Sequence, residues 1–301
     1  MSWEIRSATL QDVPAILEVV TASDLAATGE PDWTVEEIVA TLTAPNHESW
    51  LAVEPDGTAV GWAYLDNPTK ADRDSVEVYG EPAQRELLAL AVERAAARGA
   101  QSVRAGVIPS EVSYVTELER AGFHFVKRHA RMRRRLTGDE RAPTGLGVRP
   151  LRPDDEAERR AFHRVMELAF ADHPDYQPVS YPAWSARIGA RPEVCWDEWF
   201  VATVDGHVVG ALESSQQAVE HDEGWVKNLA VRREYRRRGL GAGLLMAAFA
   251  AYAAKGRRWA GLGVDLTNPT GAYHLYTSIG MAPTFEADVY ELVLRLGGSG
   301  A

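Results

Sequence analysis

Trp50, Gly57 and Gly61 recur as Trp199, Gly206 and Gly210, all at one offset of 149 residues. The stretch Ser49-Trp-Leu-Ala-Val-Glu-Pro-Asp-Gly-Thr-Ala-Val-Gly-Trp-Ala is echoed by Glu198-Trp-Phe-Val-Ala-Thr-Val-Asp-Gly-His-Val-Val-Gly-Ala-Leu. Each copy reads as two apolar strands around an Asp-Gly turn, a β-hairpin. Similar openings precede the hairpins, Ile5-Arg-Ser-Ala-Thr-Leu-Gln-Asp-Val and Val148-Arg-Pro-Leu-Arg-Pro-Asp-Asp-Glu. Each predicts a short strand running into a helix, with Thr9 or Asp154 placed to accept the free N–H groups of the first turn. Late in each half, Leu118-Glu-Arg-Ala-Gly-Phe and Tyr276-Thr-Ser-Ile-Gly-Met predict short helices ending at a glycine suited to the left-handed cap. A repeat of this length is a duplicated domain, too long for a solenoid unit, and 301 residues accommodate two such cores. The expected organisation is a first domain over residues 1–137, a polar linker bearing Gly and Pro over 138–147, and a second domain over 148–301. Each half reads as a mixed α/β sheet covered by helices.

Charge narrows the partners. A net charge of −11 argues against a nucleic-acid or anionic-membrane binder, whose surfaces are basic. Arg128, Arg131, Arg133, Arg134 and Arg135 read as a solvated edge strand and linker rather than a nucleic-acid patch. The single cysteine, Cys195, excludes an internal disulfide or a cysteine metal cluster, and its apolar and acidic neighbours oppose a nucleophilic thiolate. His173 and His221 lack partners at metal-ligand spacing, so no metal is expected. The N-terminal Met-Ser-Trp-Glu-Ile-Arg has no apolar leader character, and no stretch reaches 18 uninterrupted apolar residues. A cytoplasmic protein is expected on those grounds.

Residues 234 to 245, Glu-Tyr-Arg-Arg-Arg-Gly-Leu-Gly-Ala-Gly-Leu-Leu, set three arginines against three glycines. The preceding Gly224-Trp-Val-Lys-Asn-Leu-Ala-Val231 has strand composition. Beyond the glycines, Leu244, Leu245, Ala248, Ala251 and Tyr252 recur at helical spacing until Gly256. Such a strand-to-helix turn leaves backbone N–H groups without partners at the positive end of a helix dipole, which stabilises an anion by roughly 0.3–2 kcal/mol. Glycines permit close approach, and Arg236, Arg237 and Arg238 bring charged donors. A nucleoside-triphosphate loop wants Gly-Lys-Ser/Thr, and this turn has neither the lysine nor the hydroxyl. A dinucleotide loop wants Gly-x-Gly-x-x-Gly, a spacing that Gly239-x-Gly241-x-Gly243 misses.

Arg236-Arg-Arg-Gly239-Leu-Gly241, following Leu229-Ala-Val231, resembles the pyrophosphate-binding signature of the GNAT superfamily, the acyl-CoA-dependent N-acyltransferases. Asn268-Pro-Thr-Gly-Ala-Tyr-His-Leu-Tyr276-Thr-Ser-Ile-Gly280-Met resembles a second segment of that family, in the right order and at the right separation. The resemblance implies an α/β chain of two tandem GNAT-like domains, each a mixed, mostly antiparallel sheet flanked by helices, broadly similar in arrangement to mycothiol synthase. It also implies acetyl-CoA as co-substrate. Backbone groups of Leu229 and Val231 would bind the pantetheine arm, and the amides of Arg237, Arg238, Gly239, Leu240, Gly241 and Ala242 the pyrophosphate. Asn268 would contact the cofactor arm. Tyr276 would lie near the thioester sulfur, where a hydroxyl can protonate the departing thiolate; Tyr273, one turn earlier, reads as packing or substrate contact.

The general base is left open by the sequence. The family often places Glu or His on the strand before the loop, where this chain has Trp225 and Lys227. Glu213 is the next candidate and Glu223 follows; a water chain or direct release of the proton to solvent serves equally. The first half departs further, because its equivalent stretch, Val76-Glu-Val-Tyr-Gly-Glu-Pro-Ala-Gln-Arg-Glu-Leu-Leu, has one glycine. Its glutamates repel a pyrophosphate and Pro82 removes a donor, so this half is expected to keep the fold and to bind acyl-CoA weakly or not at all. The acceptor is expected at Asp172-His-Pro-Asp-Tyr-Gln-Pro-Val-Ser-Tyr-Pro-Ala-Trp184, whose carboxylates and aromatics suit a cationic amine. The expected function is transfer of an acetyl group to a primary amine of a small molecule, with no nucleic-acid or membrane partner. The alternatives are acetylation of a thiol-sugar precursor and a non-catalytic acyl-CoA sensor.

Overall fold

The computed structural model describes residues 3–67, 72–171, 176–191, 194–267 and 271–294. The chain forms two compact units, one of Met1–His129 with Glu286–Ala301, the other of Ala130–Phe285. The first unit is assembled from two separate stretches of chain and the second from one, and neither boundary falls at the linker between the repeats.

The first unit contains β1 (Glu4–Ser7), α1 (Val13–Ala27), α2 (Val35–Thr43), β2 (Glu48–Val53), β3 (Ala59–Asp66), β4 (Arg73–Tyr79), α3 (Gln84–Ala97), β5 (Ser102–Val107) and α4 (Val112–Arg120). Strand β6 (His124–Arg135) begins in this unit and ends in the second. The second unit adds β7 (Val148–Pro150), α5 (Glu156–Phe170), α6 (Tyr181–Gly189), β8 (Phe200–Val204), β9 (His207–Ser215), β10 (Glu223–Val231), α7 (Leu240–Ala254), β11 (Trp259–Asp265) and α8 (Ala272–Ser278). Strand β12 (Ala282–Val293) makes the reverse passage and finishes in the first unit.

In the first unit the strand order is β1-β2-β3-β4-β5-β12, and in the second β6-β11-β10-β9-β8-β7. The pairs β1/β2, β2/β3, β3/β4 and β5/β12 are antiparallel, as are β7/β8, β8/β9 and β9/β10. The pairs β4/β5 and β10/β11 are parallel. The repeated hairpins are β2/β3 and β8/β9. The second closes in two residues, Asp205 (φ +49°) and Gly206 (φ +78°), both in the left-handed region that a type I′ turn requires.

Each sheet is packed on both faces. In the first unit, α1 and α2 bury Ile16, Val20 and Ile38 against Leu51 and Trp62, while α3 and α4 cover Val76 and Val78 with Leu87, Leu88 and Leu118. In the second, Phe162 and Val165 of α5 and Trp184 of α6 pack on Trp199 and Val201. The opposite face takes α7, which is apolar almost all round and buries Leu244, Leu245, Ala248, Phe249 and Tyr252. Tyr252 lies where a side chain on Gly224 would collide with its ring, so this helix can seat only against a glycine.

Two local expectations change. The N-cap of α5 is Asp155, whose side chain accepts from the Glu158 N–H, rather than Asp154. The β6 arginines are engaged rather than solvated: Arg131 and Arg133 both reach the fully buried Glu223, at 2.8 and 2.9 Å. They lie over Trp225 and Trp259 at 5.3 and 4.5 Å, and Arg134 donates to the Ile279 carbonyl.

Candidate functional site

Strand β10 pairs with β11 only from Glu223↔Trp259 to Val226↔Leu262. Beyond that point it stays with β9 as far as Val231↔Gly210, so the two parallel strands part. The β9 pairing also shifts register between Val226 and Asn228, which leaves Lys227 as a bulged residue. The bulge changes the parity of the strand: Val226, Leu229 and Val231 all face the α7 core. The backbone of β10 past the bulge thus borders an opening, and across it a Cβ on Gly263 of β11 would meet nothing within 4 Å.

Strand β10 runs from that opening into the arginine-glycine turn. Arg232 N–H bonds the Val209 carbonyl, and a short 3₁₀ turn over Arg233–Tyr235 follows. Arg236 folds back, its Nε donating to the Val231 carbonyl at 3.0 Å. Arg237 holds φ +60°, a left-handed conformation that costs a non-glycine residue about 1–2 kcal/mol. Arg238 lies over Tyr235 at 5.2 Å. Gly239, at φ +78°, is the N-cap of α7; its carbonyl accepts the first helical bond, from Gly243 N–H at 2.9 Å. No side chain caps this end, so the N–H groups of Leu240, Gly241 and Ala242 keep the unpartnered state of a helix N-terminus. Nothing lies within 4 Å of where a Gly239 Cβ would sit. Gly241 is tighter: a Cβ there would come 3.1 Å from Leu275, because α7 packs on α8 at this point.

That contact joins the turn to the helix carrying Tyr276. The Tyr276 ring is in the second-unit core, 8% exposed, and burial pushes its hydroxyl pKa up to about 12. The hydroxyl makes no hydrogen bond to another described residue. Tyr273 packs its ring at the margin of the same core. Asn268 lies outside the described residues.

Glu213 is buried on β9 and both carboxylate oxygens are held: Lys227 Nζ donates to one at 3.0 Å and Asn228 Nδ2 to the other at 2.8 Å. It belongs to the sheet face covered by α5 and α6, one residue beyond Leu212 on the α7 face. Glu213 and Tyr276 therefore approach from opposite faces, and no hydrogen bond links them. Glu223 is sealed beneath Arg131 and Arg133, which makes it a structural anchor. In the expected acceptor segment, residues 172–175 lie outside the described residues. Trp184 is a core residue, 5% exposed against Phe162 and Trp199, and Ser180 caps α6. The Lys227–Glu213 pair was invisible as a pair in the sequence. Its only signal is the two consecutive polar residues Lys227-Asn228 interrupting an apolar strand.

Residues 161–281 match the family model for the acetyltransferase (GNAT) family. The chain is similar to the crystal structure of a GCN5-related N-acetyltransferase from Sphaerobacter thermophilus, at 26% identity and a TM-score of 0.79 over 97% of this chain and 96% of that one. The second unit of this chain carries a GNAT-family domain. A second similar structure, a tandem GNAT protein from the clavulanic acid biosynthesis pathway, shares the fold at 18% identity and a TM-score of 0.65, over 99% of this chain and 100% of that one. No curated protein matches. The family match falls in the unit that carries the open glycine turn. Among its described residues no helix is long and apolar enough to cross a membrane, and no group of three or more His, Cys, Asp or Glu is placed to hold a metal ion.

In the first unit the equivalent turn is built differently. A single residue, Gly80 (φ +88°), turns the chain, and any side chain on it would collide with the Val60 carbonyl. Glu81-Pro82-Ala83 then form a 3₁₀ turn into α3, so a carboxylate and a proline stand where the second unit has glycines and free amides.

Proposed function

We propose that the second unit moves an acetyl group from acetyl-CoA to a primary amine of a small molecule by direct transfer within a ternary complex. The observation that carries this reading is the junction of two features at the end of β10: the strand leaves β11 just where its chain turns into an uncapped, glycine-lined helix N-terminus. An extended thiol arm fits along a strand with unpaired backbone, and a pyrophosphate fits the amides of Arg237 to Ala242. Leu229 supplies backbone groups from the opened edge of β10. Val231 supplies its remaining group, since Arg236 occupies its carbonyl. Asn268 is assigned to the same arm by its place in the motif.

The thioester supplies an activated acyl carbonyl and a thiolate leaving group. Tyr276 keeps its proton throughout the neutral range, because burial holds its pKa at about 12, and it can donate that proton to a departing thiolate. Glu213 contributes a buried negative charge from the other face of the sheet. With one lone pair on each oxygen taken by Lys227 or Asn228, it retains acceptor capacity for an ammonium proton. No covalent enzyme intermediate enters the scheme.

The decisive substitution is Gly239→Asp. Open space around the Cβ position means the change does not disturb packing; it adds left-handed strain and sets a carboxylate against the anion site. Calorimetry should show loss of CoA binding with a thermal midpoint close to the parent's. Retained CoA affinity would remove the cradle, and with it the proposed donor. Gly241→Asp is the weaker test, since its side chain would also press on Leu275.

A further inference from the structure

The parallel strands of the first unit also part, and what stands in the gap there is a carboxylate. Strands β4 and β5 pair from Arg73↔Ser102 to Val76↔Ala105. Past that point β4 stays with β3 as far as Tyr79, and β5 stays with β12 as far as Val107. Glu77 is the first β4 residue beyond the last pair. Its Oε1 lies 3.2 Å from where a Cβ on Gly106 would sit, so the glycine leaves the carboxylate its room.

The surroundings are aromatic. Tyr64 pairs directly across from Glu77 on β3, and Tyr79 lies two residues further along β4 on the same face. Trp33 stands edge-on to the rings of Tyr64 and Tyr79, at 6.2 and 5.9 Å, and donates its Nε1–H to the Tyr79 hydroxyl at 3.1 Å. From α4 comes Tyr114, 2% exposed, whose hydroxyl is shut off from solvent with no hydrogen-bond partner. Glu111, just before α4, adds a second carboxylate, fixed by the Ile108 N–H at 3.0 Å.

Glu77 makes no hydrogen bond or ion pair with another described residue. Burial, and then the like charge of Glu111, push its pKa up to about 8. Burial followed by the charge of Glu77 pushes Tyr64, Tyr79 and Tyr114 up as well. The carboxylates and tyrosines of this cluster also feel Asp66 of β3 and Asp24 of α1, and His47 at its margin feels Glu48 and Arg98. His47, its ring tilted against Tyr64 at 5.5 Å, is pushed down chiefly by burial and so favours its neutral form. An unpaired carboxylate, a sealed orphan hydroxyl and aromatic rings, with no cation paired to Glu77 among the described residues, together lack one component: a positive charge that donates hydrogen bonds and carries an apolar body.

We propose that this gap in the first unit binds a small organic ammonium ion, its nitrogen beside Glu77, Glu111 and the Tyr114 hydroxyl and its carbon body against Tyr64, Tyr79 and Trp33. The site is separate from the acyl-transfer reading of the second unit and does not depend on it. Binding also moves a proton. The Glu77 carboxyl, largely neutral at pH 7 when the gap is empty, ionises beside the ammonium and releases its proton to the buffer.

The test is calorimetric titration of the full chain, without CoA, using benzylammonium, benzyl alcohol and benzoate. Benzylammonium should bind at least about tenfold more tightly than the neutral and anionic isosteres, with a heat that differs between Tris and phosphate because a proton is released. Glu77→Gln should weaken benzylammonium about tenfold or more and abolish the buffer dependence, and Tyr114→Phe should weaken it about threefold. Unchanged CoA affinity and thermal midpoint report that each variant is folded. Benzylammonium binding no tighter than benzyl alcohol would overturn the proposal. So would affinity and proton release that survive Glu77→Gln, since that persistence places the amine in the second unit alone.

Discussion

At the scale of single residues, the proposed proton donor Tyr276 and the carboxyl group of Glu213 stand on opposite faces of one parted sheet. In the proposed reaction Tyr276 would act through a hydroxyl that no described neighbour engages, so its removal should touch chemistry more than binding. Tyr276→Phe is expected to lower kcat by about 100-fold, the scale of a lost general acid, with little change in CoA affinity. Stopped-flow acyl transfer alongside CoA titration separates the two, and unchanged kcat would end the acid role. Because burial holds the tyrosine at about 12, its own ionisation should not depress activity anywhere below about pH 11. Glu213→Gln keeps the Asn228 contact and removes the charge, so turnover should fall while the fold survives. A pH–rate profile unchanged by that substitution would assign the proton to water instead.

At the scale of elements, Glu158 ties the start of the second unit together. It accepts from Arg149 of β7 at 2.8 Å and from the Arg152 N–H at 2.8 Å, and Asp155 caps its helix. Burial pushes its pKa up, but the hydrogen bonds from Arg149 and Arg152 outweigh that and hold it down at about 2. A folded pKa below the unfolded value of about 4.3 means the stabilisation is complete above that pH and is lost as pH falls towards about 2. Glu158→Gln should therefore destabilise the second unit by about 1–3 kcal/mol at pH 7, and the gap from the parent should close across that acidic window in thermal melts. How much of this was legible in sequence differs by element. The hairpins and the α7 start were readable because Asp-Gly turns and glycine-bounded apolar runs are local signals. The cap moved by one residue, from Asp154 to Asp155, because two adjacent aspartates offer the same chemistry and only the helix geometry chooses between them. Lys227 and Glu223 were misleading for a different reason. A bulge depends on the partner strand, and the tryptophan-shielded pairing of Glu223 with Arg131 and Arg133 joins residues about ninety positions apart, which no local pattern encodes.

At the scale of the whole molecule, the repeat locates two units, but chain order does not divide them cleanly. The Ala130–Arg135 end of β6 lies in the second unit and buries Met132 in its α7 core, followed there by Leu136. The Glu286–Val293 end of β12 completes the first unit by pairing with β5. A fragment of residues 130–285 should accordingly melt at a higher temperature than one of residues 148–285, which lacks Met132 and Leu136. Removing two fully buried apolar side chains from a core costs several kcal/mol, at about 1.5–3 kcal/mol each. Equal melting temperatures would show that the borrowed segment is dispensable.

The two crossing strands also set an order on synthesis. Most of the first unit leaves the ribosome before the second, yet the strand that covers β5 is translated only after residues 130–285. While the second unit is being made, β5 stands as an exposed edge, the kind of surface on which nascent chains mispair. Its Arg104 and Ser102, which meet Glu291 once β12 arrives, leave charge and hydroxyl along that waiting edge in the meantime. The first unit thus precedes the second in synthesis and is completed only after it.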